Sequence, residues 1–340
     1  MFNIVLSDGD YDEMVPFMKG LNASSDDISY RLIIHTANWG RTGKWSEVRR
    51  YLKYFIIPLK YFVFRKKYDI VIGWQQFYAL LFSFYCVMFR VKKTNRIVVL
   101  NYTYKEKKGI LSRPYKWFMR KCTNTKYLDY IHVNSCEYAD YVSREFNYPR
   151  ERIVAVPFGV MDEYRRWAKV DRPEGFEDKE YFLSIGRSNR DYDFLIDSWK
   201  GIDYPLVIIS DTYVNRTNNP NIIIKNDITG EEQYPWIANC KAVIIPIENA
   251  HISSGDTVLL SSMSLKKIVL VSDPSTLSEM YIKSGENGLA FTKDKDSFKK
   301  LVLEAIQGKY DYICENARIC FLEKYTREQM AKSIAEGINF

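Results

Sequence analysis

No Cys-x-x-Cys pair and no Cys/His cluster at zinc spacing occurs anywhere in this chain. The cysteines, Cys86, Cys122, Cys136, Cys240, Cys314 and Cys320, are scattered, which argues against a zinc module or a disulfide scaffold. They read as reduced core thiols of a cytosolic protein. Long apolar runs are missing too. The longest, FYALLFSFYCVMF at 77–89, is well short of the roughly 20 residues a membrane-spanning helix needs. The N-terminus reaches Asp8 after only a few apolar residues, unlike a secretory signal. Neither a repeat of 20–50 residues nor a low-complexity tract is present.

The chain does have an ordinary globular balance, 46% hydrophobic and 27% charged over 340 residues, which favours two domains over a single core. Its net charge of +7 conceals an asymmetry. Residues 1–160 hold 26 Lys/Arg against 14 Asp/Glu, whereas the remainder holds 23 against 28. Within 41–126 alone there are 21 basic and 3 acidic side chains. A cationic half and a mildly acidic half suggest separate tasks.

Short β-branched runs alternate with longer amphipathic stretches, the pattern of βα units and parallel sheets. In the first half FNIVL (2–6), RLIIH (31–35), DIVIG (69–73), RIVVL (96–100), YIHVN (130–134) and RIVAV (152–156) read as strands. YFLSI (181–185), PLVII (205–209), NIIIK (221–225), AVIIPI (242–247) and IVLVS (268–272) follow in the second. RPEGFEDKE at 172–180 is the best linker candidate. The expected fold is α/β, with two doubly wound Rossmann-like domains facing a cleft. Ligands of such sheets collect at the carboxyl ends of the strands.

ISSGDT, 252–257, follows the strand AVIIPI and opens a helix. Helix-opening N–H groups lack internal partners and carry partial positive charge, so Ser253, Ser254, Gly255, Asp256 and Thr257 suit a phosphate or diphosphate. The plain alternative is an ordinary N-cap. In YFLSIGRSNRDYDFLIDSW (181–199), Gly186, Arg187 and Arg190 stand at another strand's carboxyl end, where two guanidiniums can grip a diphosphate. Solvated turn residues paired with Asp191 or Asp193 are the alternative. Asp8, Gly9 and Asp10 follow the first strand directly. An aspartate there can act as base toward an acceptor hydroxyl within hydrogen-bond reach, or simply make an Asp-Gly turn.

Most of residues 130–340 resembles the GT-B fold glycosyltransferases, in particular the retaining family-4 group. The phrase Gly186, Arg187, Arg190, Leu195, Ile196 is similar to that family's strand-Gly-Arg-basic-Leu-Ile phrase, whose basic pair holds the donor diphosphate. NIIIKNDITGEEQYPWIANCKAVIIPI resembles its base-binding segment, which implies that Asn226, Asp227 and Ile228 lie beside the nucleobase. VPFGVMDEY (156–164) and PSTLSEMYIKSGENGLAF (274–291) are similar to two further family stretches. The resemblance implies domains of 1–165 for the acceptor and membrane side and 166–317 for the nucleotide-sugar donor, with a helix at 318–340 crossing back. The family's two glutamates, seven residues apart, fall on Ser253 and Ser261, so both carboxylates are replaced. The pair Glu248 and Asp256 has the same spacing, but Met263 argues against that register.

Asp-x-Asp patterns at Asp8/Asp10, Asp10/Asp12, Asp191/Asp193 and Asp294/Asp296 do not follow a mid-domain strand, and no metal or other cofactor is expected. GRTGKW (40–45) lacks the first glycine and the Ser/Thr of a phosphate loop. His35 and His132 read as structural, and His251 as a sugar or phosphate contact. SEVRRYLKYFIIPLKYFVFRKK (46–67) and KKGILSRPYKWFMRK (107–121) mix cations with aromatic rings, as suits an anionic bilayer surface. Two other readings of these segments are core aromatics beneath solvated charges and single-stranded nucleic acid. The expectation is therefore a cytoplasmic enzyme on the inner face of the membrane. It would move a sugar from a nucleotide-diphosphate sugar to a lipid-linked or polysaccharide acceptor in cell-envelope glycan synthesis. The rivals are a DNA-modifying transferase or nucleotide-sugar epimerase of the same fold, and a pseudoenzyme scaffold.

Overall fold

The computed structural model describes residues 2–24, 28–35, 44–214, 217–252 and 254–338. Most of GRTGKW and Ser253 lie outside the described residues. The chain divides into two compact units, residues 1–158 with 327–340, and residues 159–326.

Unit 1 contains strands β1 (Phe2–Ser7), β2 (Tyr30–Ile34), β3 (Tyr68–Gly73), β4 (Arg96–Val99), β5 (Leu128–Val133) and β6 (Ile153–Ala155). Its helices are α1 (Tyr11–Ala23), α2 (Lys44–Val63), α3 (Gln76–Met88), α4 (Ser112–Cys122) and α5 (Cys136–Phe146). Unit 2 contains the short α6 (Tyr164–Trp167), then β7 (Phe182–Ile185), α7 (Tyr192–Ser198), β8 (Leu206–Ile209), β9 (Ile222–Lys225) and α8 (Tyr234–Asn239). It continues with β10 (Ala242–Ile245), α9 (Asp256–Ser264), β11 (Ile268–Ser272), α10 (Thr276–Tyr281), β12 (Leu289–Phe291), α11 (Lys295–Ile306) and α12 (Ile313–Lys324). The last helix, α13 (Arg327–Ile338), returns to unit 1.

Each unit is built on one parallel six-stranded sheet, in the order β2-β1-β3-β4-β5-β6 and β12-β11-β10-β7-β8-β9. All eleven expected strands are present; β12, three residues long, is additional. Strand residues such as Val5, Val71, Val98, Ile208, Ile244 and Leu270 are almost fully buried, as continuous apolar runs in a sheet covered on both faces should be. In each sheet the first strand of the unit is flanked by its second and, on the other side, by a later one. The topological switch points therefore fall between β1 and β3 in unit 1, and between β7 and β10 in unit 2.

The division, at 158/159 and 326/327, differs by seven and nine residues from the expected boundaries at 165/166 and 317/318. Residues 159–165 stay with unit 2 because Asp162 forms a two-pronged ion pair with Arg318, at 2.5 and 2.8 Å, and the Val160 N–H donates to Tyr325 O at 3.0 Å. The expected single helix from 318 is two helices broken at Tyr325 and Thr326. Met330, Ala331 and Ile334 of α13 join Phe17 and Leu21 of α1 in one core cluster. Gly20 permits this contact: a β-carbon there would meet Glu328 O at 2.2 Å.

The aromatic-basic segments divide between core and surface. Tyr54, Tyr61 and Phe62 of α2 are buried with α3, whose run 77–89 is mostly core. Tyr51, Phe55, Phe64 and Trp117 are exposed. The cysteines are not all core thiols: Cys86, Cys122 and Cys240 are buried, but Cys136 is exposed at the start of α5 and Cys314 and Cys320 are half-buried. Among the described residues no helix is long and apolar enough to cross a membrane.

Candidate functional site

At the switch point of unit 2 the loop after β7 is stitched to the loop after β10. Asn189, with a left-handed φ of 55°, donates through Nδ2 to Asn249 O at 3.1 Å and Ile252 O at 3.0 Å. Its Oδ1 accepts from the Asn249 N–H at 2.8 Å. The Asp191 N–H adds a bond to Pro246 O at 2.8 Å. Left-handed backbone suits asparagine among non-glycine residues.

This stitching sets Arg190 at the base of a cavity of about 450 Å³. Its Nε donates to Ile185 O at 3.2 Å, and its Nη1 to Ser188 O at 3.2 Å and to Ser254 O and Oγ at 3.4 Å. Two glycines make room for the guanidinium. A β-carbon on Gly186 (φ 149°) would lie 2.6 Å from Arg190 Nε, and one on Gly255 (φ 110°) would lie 2.7 Å from Nη2. Both dihedrals are in the region glycine alone adopts readily. Burial draws the Arg190 pKa below the usual arginine value, with Tyr192 and Asp256 opposing. An arginine starts so far above neutrality that the guanidinium remains charged.

Arg187 is exposed and reaches Asp211 Oδ2 at 3.5 Å across the cavity mouth. Ser254, Gly255, Asp256 and Thr257 line the same space, Gly255 as the N-cap of α9. Asp256 Oδ1 accepts from Tyr281 Oη at 2.9 Å. Ile228 also lines the cavity. Asn226 and Asp227 are not among the residues that line it. The Asn226 amide donates instead to Ser210 O and, at 2.9 Å, to Tyr213 O, bracing the loop after β8. His251 stands exposed on a turn outside the cavity. Ser261 is buried in α9 and does not line the cavity either. Among the residues that sequence reasoning missed are Ser188, Thr229, Gln233, Asn189, Ser210 and Asp211. The last two follow β8 directly, the kind of position that had singled out Arg187.

Unit 1 gathers a polar cluster at its own switch point. Asp8 Oδ2 accepts from Gln75 Nε2 at 2.8 Å and from Tyr54 Oη at 3.4 Å. Gly9 N–H donates to Ser7 Oγ at 3.0 Å, and Asp10 is the N-cap position of α1, without a side-chain capping bond. Nearby, His35 Nε2 and Tyr61 Oη are 2.7 Å apart. Burial, with Lys60 and Lys53, holds the His35 pKa below its usual value. His132 is fully buried and structural: Nδ1 accepts from the Asn101 N–H at 3.1 Å, and Nε2 donates to Val156 O at 2.9 Å.

The other Asp-x-Asp patterns serve as helix caps. Asp191 accepts from the Phe194 N–H at 3.0 Å, and Asp294 from the Ser297 N–H at 2.8 Å. Among the described residues no group of three or more His, Cys, Asp or Glu could hold a metal ion.

No protein-family model matches the chain, and no curated protein matches it in sequence. Solved structures do. The Anabaena protein HepE, solved with UDP, superposes with a TM-score of 0.65 at 12% identity over 100% of both chains. Sucrose-phosphate synthase from Thermosynechococcus elongatus gives 0.64 at 12% identity, covering 99% of this chain and 98% of its own. The lipopolysaccharide outer core galactosyltransferase WaaB gives 0.60 at 16% identity, over 100% and 99%. The likeness establishes the fold, the paired parallel α/β sheets of GT-B glycosyltransferases.

Proposed function

We propose that the chain is a glycosyltransferase of the family-4 kind that binds a nucleotide-diphosphate sugar in the unit 2 cavity. The observation that carries this reading is Arg190. Its guanidinium is half-buried between two glycines and bonded to carbonyl and hydroxyl oxygens. Among the described residues no carboxylate forms an ion pair with it. A largely desolvated cation whose hydrogen bonds go to neutral oxygens, with the Asp256 carboxylate acting on it only in part against the cost of burial, favours an anion in the space it faces. Arg187, with the amides of residues 255–257, supplies the remaining charge and donors. As the glycosidic bond breaks, negative charge builds on the departing diphosphate, and these fixed groups stabilise it without a metal ion. HepE, which shares the fold, was solved with UDP, so UDP is the nucleotide to try first.

Ile228 packs beside the base in this reading, with Asn226 and Asp227 holding its loop. Ser254 flanks the sugar side. Asp8, positioned by Gln75, takes the proton of an acceptor hydroxyl, with Gly9 and Asp10 shaping that loop. The acceptor is a lipid-linked glycan or polysaccharide of the cell envelope, the transfer retains configuration, and the protein works on the inner face of a membrane. WaaB, named for a lipopolysaccharide acceptor, shares the fold.

The test is thermal unfolding with UDP, GDP, ADP and CMP in EDTA, comparing the chain with Arg190→Ala. A ligand at about 100 times its dissociation constant adds roughly 2.7 kcal/mol, a visible shift. Stabilisation by one nucleotide, lost in the variant, is expected; no shift with any of them overturns the donor site. The scaffold reading draws on the loss of both glutamates, since Ser261 is buried and offers the cavity nothing. Nucleotide release that needs acceptor separates the two.

A further inference from the structure

Apolar exposure is concentrated in one part of the molecule. Among the described residues, thirteen of the twenty-two exposed large hydrophobic side chains lie between Val48 and Trp117. Seven of them belong to α2, and six of these, Val48, Leu52, Phe55, Ile56, Leu59 and Val63, form one stripe. At about 3.6 residues per turn these six fall within an arc of about 100°. The opposite face carries Tyr54 and Tyr61, buried against α3. So α2 has two apolar faces, one of them turned to solvent. Arg49, Lys53 and Lys60 run along the helix at one margin of the exposed stripe, and Arg65, Lys66 and Lys67 follow its end. The stripe continues onto neighbouring elements. Phe55 and Phe118 of α4 have ring centroids 6.2 Å apart, and Phe62 of α2 stacks on the exposed Phe89 at 5.4 Å. Beyond α4, Ile110 is 95% exposed at a tip flanked by Lys107, Lys108 and Arg113.

We propose that the outer face of α2 is a docking surface for an anionic lipid bilayer, lying in the plane of the headgroups. The partner is identified by chemistry. Isoleucine, leucine and phenylalanine in a continuous stripe gain from acyl chains, and the bordering cations meet lipid phosphates with their stems beside the apolar surface. Nucleic acid would leave the aliphatic stripe in water. A second copy of the chain would oppose like charges along the same margin. This deepens, and rests on, the membrane association proposed above, and it adds an acceptor class. Tyr54, on the inner face of the same helix, donates to Asp8. The acceptor-side carboxylate is thereby held about one helix diameter, ~10 Å, from the lipid plane. That is the reach of a sugar carried on a lipid headgroup rather than of a free polysaccharide.

The experiment is flotation of the full chain with phosphatidylcholine vesicles, with and without phosphatidylglycerol, at low and high salt. Leu52→Ser/Ile56→Ser/Leu59→Ser is the comparison, since these side chains already face solvent and leave the core intact. Binding to the phosphatidylglycerol vesicles alone, weakened by salt and reduced at least about tenfold in the triple variant, is expected. Three results overturn the proposal: no vesicle binding by the wild type, equal binding by the variant, or a wild-type dimer that the variant abolishes while neither binds lipid. Stabilisation by UDP, measured on the same two proteins, should be equal in both. If it is present while vesicle binding is absent, the donor reading stands and the docking surface falls.

Discussion

A β-carbon on Gly186 would stand 2.6 Å from Arg190 Nε, so this glycine is required by a neighbouring side chain within the fold itself. Gly186→Ala, with φ at 149°, must strain the backbone or displace a guanidinium held by five oxygens. The expected outcome is a loss of about 1–3 kcal/mol in stability and at least about tenfold in UDP affinity. Thermal unfolding and nucleotide titration of the one variant measure both.

Asp211 holds Arg187 through an exposed contact of 3.5 Å, worth at most about 1 kcal/mol. Asp211→Asn releases the arginine and removes a negative charge from the cavity. UDP should bind a few-fold tighter, by about 2–5-fold, with stability unchanged within about 0.5 kcal/mol. Weaker binding would instead make Asp211 a direct contact to the nucleotide.

Asp8 is bonded by Gln75 and Tyr54, so Asp8→Asn keeps the shape of the loop but removes the proposed base. Turnover should fall at least about 100-fold while nucleotide-induced stabilisation is retained. Gln75→Ala should lower turnover less than Asp8→Asn does. An unimpaired Asp8→Asn enzyme would remove Asp8 from the chemistry.

Burial holds the His132 pKa at about 4. The unfolded chain takes up this proton near pH 6.5, so stability is complete above that pH and is lost as pH falls toward 4. The shift corresponds to about 3 kcal/mol. His132→Phe lacks both ring bonds and should be less stable at pH 7.5, but with a shallower pH dependence between 6.5 and 4. Urea unfolding of both proteins across that range checks the slope.

Legibility in the sequence followed how local each feature is. The eleven strands could be read because a buried parallel strand is a nearly continuous β-branched run, as in IVLVS. Arg187 and Arg190 could be found because a glycine turn follows such a run. β12 was invisible because its residues, Leu-Ala-Phe, include no β-branched side chain, unlike the equally short β6. The break at Tyr325 depends on a partner far away in the sequence, Val160. Asn189 looks like any turn residue until the switch point brings Asn249 and Ile252 to its amide. Asn226 was placed beside a ligand by its phrase, yet its amide is occupied by Ser210 and Tyr213, partners that only the fold brings near.

The return of α13 to α1 has a consequence for synthesis. Residues 159–326 form a unit that is complete before residue 327 is made, whereas the α1 face of unit 1 lacks its cover until Met330, Ala331 and Ile334 leave the ribosome. The half that begins first is therefore finished last. Premature termination near Arg327 would leave unit 2 whole and strand unit 1 with an uncovered apolar face, an aggregation hazard for the truncated chain.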